Sequence, residues 1–155
     1  MIALALDPGR TTGYAVAVDN LINYGQVELS PREFWHFLNY HLPVDLECHV
    51  ICENFVFRQG NQLGVDLYPC ELIGILKLHR TFHVDMSHQL YFQPASVQGK
   101  KAYFTDKLLK DMGLYIKGIE HGRSAVKHLL YWLQFAQGAR YDVNMEKLRL
   151  VDAPS

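Results

Sequence analysis

Asp7 closes an apolar run in LALDPGRTTGYAVAV, Glu53 lies inside VICENFVF, and His121, Ser124 and His128 are spaced along HGRSAVKHLLYWL. Carboxylates and an imidazole are the donors that hold a divalent cation and move protons during hydrolysis. Each residue also has a plain structural explanation. Asp before Pro-Gly begins turns well, because its side chain bonds nearby backbone amides. Ser124 is a good helix cap, and His121, three residues before it, shares its face at a helix amino terminus. His128, four residues beyond Ser124, lies further along roughly the same side. Glu53 is the hardest to explain without function. A carboxylate among so many apolar residues is costly to desolvate unless it is paired, exposed at an edge or bound to a metal.

The elements that must position these groups are legible in the pattern. IALALD (2–7) is a continuous apolar run suited to a buried strand, and TGYAVAV (12–18) reads as its antiparallel neighbour across the Pro-Gly turn. INYGQVEL (22–29) continues the meander after Asp19-Asn20. Ser30-Pro31 with Glu33 starts a helix over REFWHFLNYHL, which ends at Pro43. CHVICENFVF (48–57) is a fourth strand, and alternation places Glu53, Phe55 and Phe57 on one face with Cys52 and Val56 on the other. YPCELIGILKLHR reads as a helix with Pro69 near its first turn, and HQLYFQ (88–93) as a fifth, short strand. The chain is helical from there: a turn around 95–101, FTDKLLKDMG with a Thr105 cap and a Gly113 stop, and SAVKHLLYWLQFA from about 123 to 137.

Three antiparallel strands followed by helix-strand-helix-strand-helix predict an α/β fold: a five-stranded mixed sheet, three strands antiparallel and then two parallel, flanked by helices. This is the element order of the ribonuclease-H-like fold, in which the first and fourth strands are neighbours, so that Asp7 and Glu53 meet. Order alone is an analogy, and function must come from a site.

Length and composition narrow the class. The chain has 155 residues, 49% of them hydrophobic and 20% charged, which predicts one domain over 1–155 with a real core. It contains no run of about eighteen apolar residues to span a bilayer and no signal-peptide pattern at its start, so a cytoplasmic protein without membrane attachment is expected. Cys48, Cys52 and Cys70 lack the paired spacing of a zinc knuckle and read as buried thiols. Most of the eight histidines are scattered singly. The net charge of −1 argues against a generic polyanion binder, but residues 1–94 carry 5 Lys/Arg against 10 Asp/Glu, whereas residues 95–151 carry 10 against 5. The acidic part holds the candidate chemistry, and the basic part has the charge to hold phosphates, unless its lysines merely solvate helix faces.

Taken together and in order, LALDPGRTTGYAV, the Glu in ICENFVF, and HGRSAVKHLLYWL resemble RuvC, the Holliday-junction resolvase family, and particularly its shorter bacteriophage members. CELIGILKL and QPASVQGKKAYFTDKLLKDMGLY add to the likeness, which covers most of residues 2–135. The resemblance implies a metal-dependent, structure-selective endonuclease that resolves four-way or other branched DNA, acting as a homodimer in the cytoplasm, the host's if phage-encoded. It implies catalytic and metal-binding roles for Asp7, Glu53 and His121. Where the family pattern has an acidic residue three after His121, this sequence has Ser124, whose neutral hydroxyl is a weak ligand that binds a cation less well or through water.

Two Mg²⁺ ions, or Mn²⁺ given the nitrogen ligand, would then activate water and neutralise phosphoryl charge, with Asp7 bridging, Glu53 on one ion and His121 on the other or on the attacking water. Phosphate contacts fall to Arg10, Lys100, Lys101, Lys107, Lys110, Arg123 and Lys127, since a junction is recognised by shape and backbone. Phe55 and Phe57 past Glu53, with the polar RQGNQLG loop that begins at Arg58, are candidates to wedge into an opened base step, although Phe55 reads rather as core. Cutting two symmetric strands calls for two sites on a twofold axis, with EFWHFLNY or the CELIGILKL helix as the interface. Three rivals stand beside this: a flap or RNA–DNA-hybrid nuclease of the same fold, a junction-binding protein whose chemistry is lost at Ser124, and an actin-like nucleotide-binding fragment, which lacks a second domain at this length.

Overall fold

The computed structural model describes residues 1–56, 64–83, 88–99 and 102–151. Its framework is a mixed sheet of β1 (Ile2–Asp7), β2 (Thr11–Val18), β3 (Leu21–Glu28), β4 (Cys48–Glu53), β5 (His88–Gln93) and β6 (Arg149–Leu150). The strand order is β5-β4-β1-β2-β3-β6. β1, β2 and β3 are antiparallel in sequence, while β1, β4 and β5 run parallel. The ribonuclease-H-like order read from the sequence is therefore present.

The expected sheet had five strands, and the observed one has six. The addition is β6, two residues pairing parallel with Leu21 and Ile22. Periodicity cannot announce so short a strand. It forms because the Asn20 and Ile22 carbonyls accept from the amides of Arg149 and Val151, while Leu148 beside it is buried in the core.

Period-two alternation divides the core into two clusters, one on each face of the sheet. Leu4, Leu6, Cys48, Val50 and Cys52 face α1 (Pro31–His41) and α2 (Tyr68–Phe82). Ala3, Ala5, Ala15, Ala17 and Ile51 face α3 (Asp106–Asp111) and α4 (Glu120–Phe135). The alanines matter for the site, because a carpet of single methyl groups lets α4 lie close to the strands. Two glycines bring it closer still. A Cβ on Gly13 would fall 1.9 Å from the His121 carbonyl oxygen, and one on Gly122 would fall 2.7 Å from that of Gly25.

Local signals explain most boundaries. Ser30 and Glu33 form a reciprocal capping box on α1, with Pro31 in its first turn. Thr105 caps α3, and Gly113 follows it with a φ of +71°. Three expectations need correction. β4 ends at Glu53 rather than at residue 57, because the chain turns off the sheet with Asn54 N bonding the Gln93 carbonyl at 2.7 Å. Phe55 accordingly packs on the α1/α2 side, away from the face that carries Glu53, although it is core material as expected. Cys70 is exposed, since it lies off the buried Leu72, Ile73, Leu76 and His79 stripe of α2. Among the described residues no helix is long and apolar enough to cross a membrane.

Candidate active site

Alternation along three parallel neighbours sets the site. Ala3 and Ala5 face α4, so Asp7 at the end of β1 does too. Ile51 faces α4, so Glu53 follows on β4, and Gln93 is its register partner on β5. Three polar side chains thus end three adjacent strands on one face.

α4 supplies the other wall. His121, Ser124 and His128 recur at spacings of three and four on the helix face turned to the strands. The helix starts earlier than its sequence suggests, at Glu120 rather than near 123, which puts Ser124 inside it and excludes Ser124 as its cap. The Gln26 side chain on β3 takes over part of that work, its Oε1 accepting from the His121 amide at 3.1 Å. On the opposite flank, the Tyr24 hydroxyl donates to the Leu114 carbonyl at 2.6 Å and accepts from the Ile116 amide at 2.8 Å. These bonds fix the segment that delivers α4 to the sheet.

The structure joins the predicted residues in two linked pairs. His121 Nδ1 lies 3.1 Å from Asp7 Oδ2, with the histidine half exposed and the aspartate largely covered. His128 Nε2 lies 2.8 Å from Glu53 Oε2, and its Nδ1 lies 2.8 Å from Gln93 Oε1. Ser124 Oγ donates to Gln98 Oε1 at 3.1 Å, and Gln98 Nε2 donates to Glu53 Oε2 at 3.4 Å. The Asp7 carboxyl has its pKa raised by burial first and by the Glu53 charge second, against which the His121 bond and charge pull down. Two carboxylates thus end adjacent strands, and the charge of Glu53 opposes ionisation of Asp7, a conflict that a cation between them would relieve.

The donor set suits a hard, hydrated ion. Among the described residues no group of three or more His, Cys, Asp or Glu side chains is arranged to hold a metal ion. Mg²⁺ does not need such a group, because it keeps several waters and is held by one or two carboxylates plus substrate phosphates. Asp7 and Glu53 meet that requirement, and His121 stands at the open side.

Other predicted residues lie around this centre in different states. Arg10 makes two bonds to Asp66 and stacks over Tyr68, yet remains mostly exposed on the loop after β1. Lys107 is exposed, and Lys110 lies over the Tyr115 ring. Arg123 and Lys127 are turned inward to Asp106, at 3.3 Å and 2.7 Å, and are largely covered. Phe57, Arg58, Lys100 and Lys101 lie outside the described residues. The sequence reading did not single out Gln93 or Gln98. Gln93 was in reach of it, since it ends the fifth strand as Glu53 ends the fourth. Gln98 follows an irregular 3₁₀ turn and carries no periodic signal.

No family model matches the chain, and no curated protein matches it. Solved structures do. Thermus thermophilus RuvC in complex with a Holliday junction substrate aligns with a TM-score of 0.59 and 16% identity, over 92% of this chain and 97% of that one. Thermus thermophilus RuvC in a second structure aligns at 0.54 and 14%, over 92% and 98%. The yeast mitochondrial Holliday junction resolvase Ydc2 aligns at 0.54 and 13%, over 94% and 82%. The shared property at these identities is the fold, and it extends over nearly the whole of this chain.

Proposed function

We propose that the chain is a divalent-metal-dependent endonuclease that resolves four-way DNA junctions by phosphodiester hydrolysis. The observation that carries the proposal is the meeting of Asp7 and Glu53 at the ends of adjacent parallel strands, with His121 of α4 bonded to Asp7. Its support beyond the site is the fold shared with RuvC and Ydc2, both junction resolvases.

Asp7 and Glu53 would hold the cation, with His121 beside it. Bound there, Mg²⁺ or Mn²⁺ would neutralise charge on the phosphoryl oxygens and stabilise the leaving oxygen. The chain's own residues do the rest. A carboxylate oxygen only accepts, so the proton on His121 Nδ1 points to Asp7 Oδ2, which leaves Nε2 as a lone pair facing solvent. That nitrogen takes a proton from the attacking water, and the imidazolium so formed is stabilised by Asp7. Among the described candidates, Arg10, Lys107 and Lys110 are exposed and would hold backbone phosphates, whereas Arg123 and Lys127 are paired with Asp106.

Symmetric cutting calls for two copies of the site, and a homodimer is part of this reading. Its interface would draw on the α1 and α2 side, where Tyr40, Leu78 and Phe82 are exposed.

A substrate panel tests the proposal. A labelled four-way junction, a flap, an RNA–DNA hybrid and a linear duplex are each incubated with Mg²⁺, Mn²⁺ or neither. Paired nicks on opposite junction strands, dependent on metal, are expected. Preferential cutting of the flap or hybrid would reassign the substrate, and junction binding with no nicks in any metal would make the chain a binding protein.

A further inference from the structure

Among the described residues two hydrogen bonds reach the Glu53 carboxylate, and both end on the same oxygen. His128 Nε2 approaches Oε2 at 2.8 Å and Gln98 Nε2 at 3.4 Å, while Oε1 receives no hydrogen bond among the described residues. Behind each donor stands a second group. Gln93 Oε1 engages His128 Nδ1 at 2.8 Å, and Ser124 Oγ donates to Gln98 Oε1 at 3.1 Å.

We propose that His128 and the Ser124–Gln98 pair are positioning residues that grip Glu53 by Oε2 and present Oε1 alone to the reacting centre. Ser124 thus acts through Gln98, not as a weak metal ligand. This rests on the reading of Glu53 as a metal-holding carboxylate.

The chemistry of each atom favours the assignment. A carboxylate oxygen only accepts, so His128 donates from Nε2; the Gln93 side-chain amide stands 2.8 Å behind Nδ1, and with its NH₂ end turned there, an end that has no other partner among the described residues, it donates to that ring nitrogen and holds the ring from behind. The ring is fully buried in the packed body of α4, where its orientation cannot drift. The Gln98 amide has two ends, and a donor at its oxygen helps hold the NH₂ end toward Glu53. Ser124 supplies that O–H. An aspartate at 124 would be ionised at neutral pH and have no proton to give. Glutamate has three rotatable bonds, and pinning one carboxylate oxygen from two directions removes freedom that cation binding would otherwise have to remove. Loss of groups that orient a metal ligand typically costs ten- to a hundredfold in metal affinity.

The test uses the full chain without DNA, measuring Mn²⁺ affinity by titration together with the Gln98 side-chain amide and His128 ring-nitrogen NMR signals. In Ser124→Ala the Gln98 amide signals should move and Mn²⁺ affinity should fall about tenfold, the lower end of that range. Ser124→Thr, which keeps the hydroxyl, should restore both. Ser124→Asp should bind Mn²⁺ no more tightly than wild type. Glu53→Gln should move the His128 ring signals. Tighter Mn²⁺ binding by Ser124→Asp, with Ser124→Ala equal to wild type, would overturn the proposal and make residue 124 a ligand position. Unmoved Gln98 and His128 signals would overturn it independently of metal. Moved signals in a protein that binds no Mn²⁺ in any form would leave the grip on Glu53 standing and refute the metal reading beneath it.

Discussion

His121 and Asp7, separated by 114 positions in sequence, meet through a 3.1 Å contact between Nδ1 and Oδ2. The aspartate ends the first strand, the histidine opens the last long helix, and the bond between them closes the candidate active site across the face of the sheet. If the imidazole moves the proton of the attacking water, removing it should slow chemistry without loosening DNA. His121→Asn is expected to lower single-turnover cleavage by about 10²–10⁴-fold, the usual contribution of a general base, with junction affinity within about twofold of wild type. Electrophoretic mobility and quenched-flow cleavage on the same junction check both parts.

The site depends on α4 lying against bare backbone. Gly13→Ala puts a methyl group 1.9 Å from the His121 carbonyl oxygen, so backbone must shift. The variant should lose roughly 1–3 kcal/mol of stability, the range for overpacking, and lose cleavage even where it is folded, because His121 moves with the helix. Urea denaturation and a cleavage assay at low temperature separate the two effects.

The buried position of Asp7 beside Glu53 opposes its ionisation in the folded chain and raises its pKa. A carboxyl raised in this way favours folding below its unfolded pKa and loses that contribution as pH rises through the folded value. At neutral pH without divalent ions, Asp7→Asn should therefore melt above wild type. The gap should narrow toward pH 3, where the wild-type carboxyl is protonated. Calorimetry in chelator across pH 3–7 measures it.

The opposite sign applies on the other face of the sheet. His79 is buried against Trp35 and bonded to Asn39, and burial first, then the charges of His83 and His88, push its pKa down to about 4. Its contribution is complete above the unfolded value near 6.5 and is lost as pH falls toward 4, because the unfolded chain binds the proton first. Wild type should lose stability on acidification through that window. His79→Gln should be less stable at pH 7 and lose less between pH 6.5 and 4, a difference read from urea midpoints at each pH.

Much of this architecture is written in local sequence. The Pro-Gly turn, the Ser30–Glu33 capping box and the Thr105 cap stand where their chemistry demands, and strict alternation from Ala3 to Asp7 and from His49 to Glu53 puts both carboxylates on the α4 face. What was hidden depended on neighbours remote in sequence. β6 exists because Asn20 and Ile22 offer open carbonyls. α4 begins before its cap-like serine because Gln26 on β3 meets the His121 amide. Arg123 and Lys127 resemble a phosphate-binding surface in sequence, yet Asp106 on α3 draws both inward. Gln93 and Gln98 carry no charge to draw notice, and their significance appears only where they meet His128 and Glu53.

If Asp7 holds the metal, wild type and Asp7→Asn should part company on a four-way junction labelled on each strand, with binding measured in chelator and nicking measured in Mg²⁺ and in Mn²⁺. Equal binding, with paired nicks from wild type and none from Asp7→Asn in either metal, is the predicted result. Undiminished nicking by Asp7→Asn would contradict the account at its foundation.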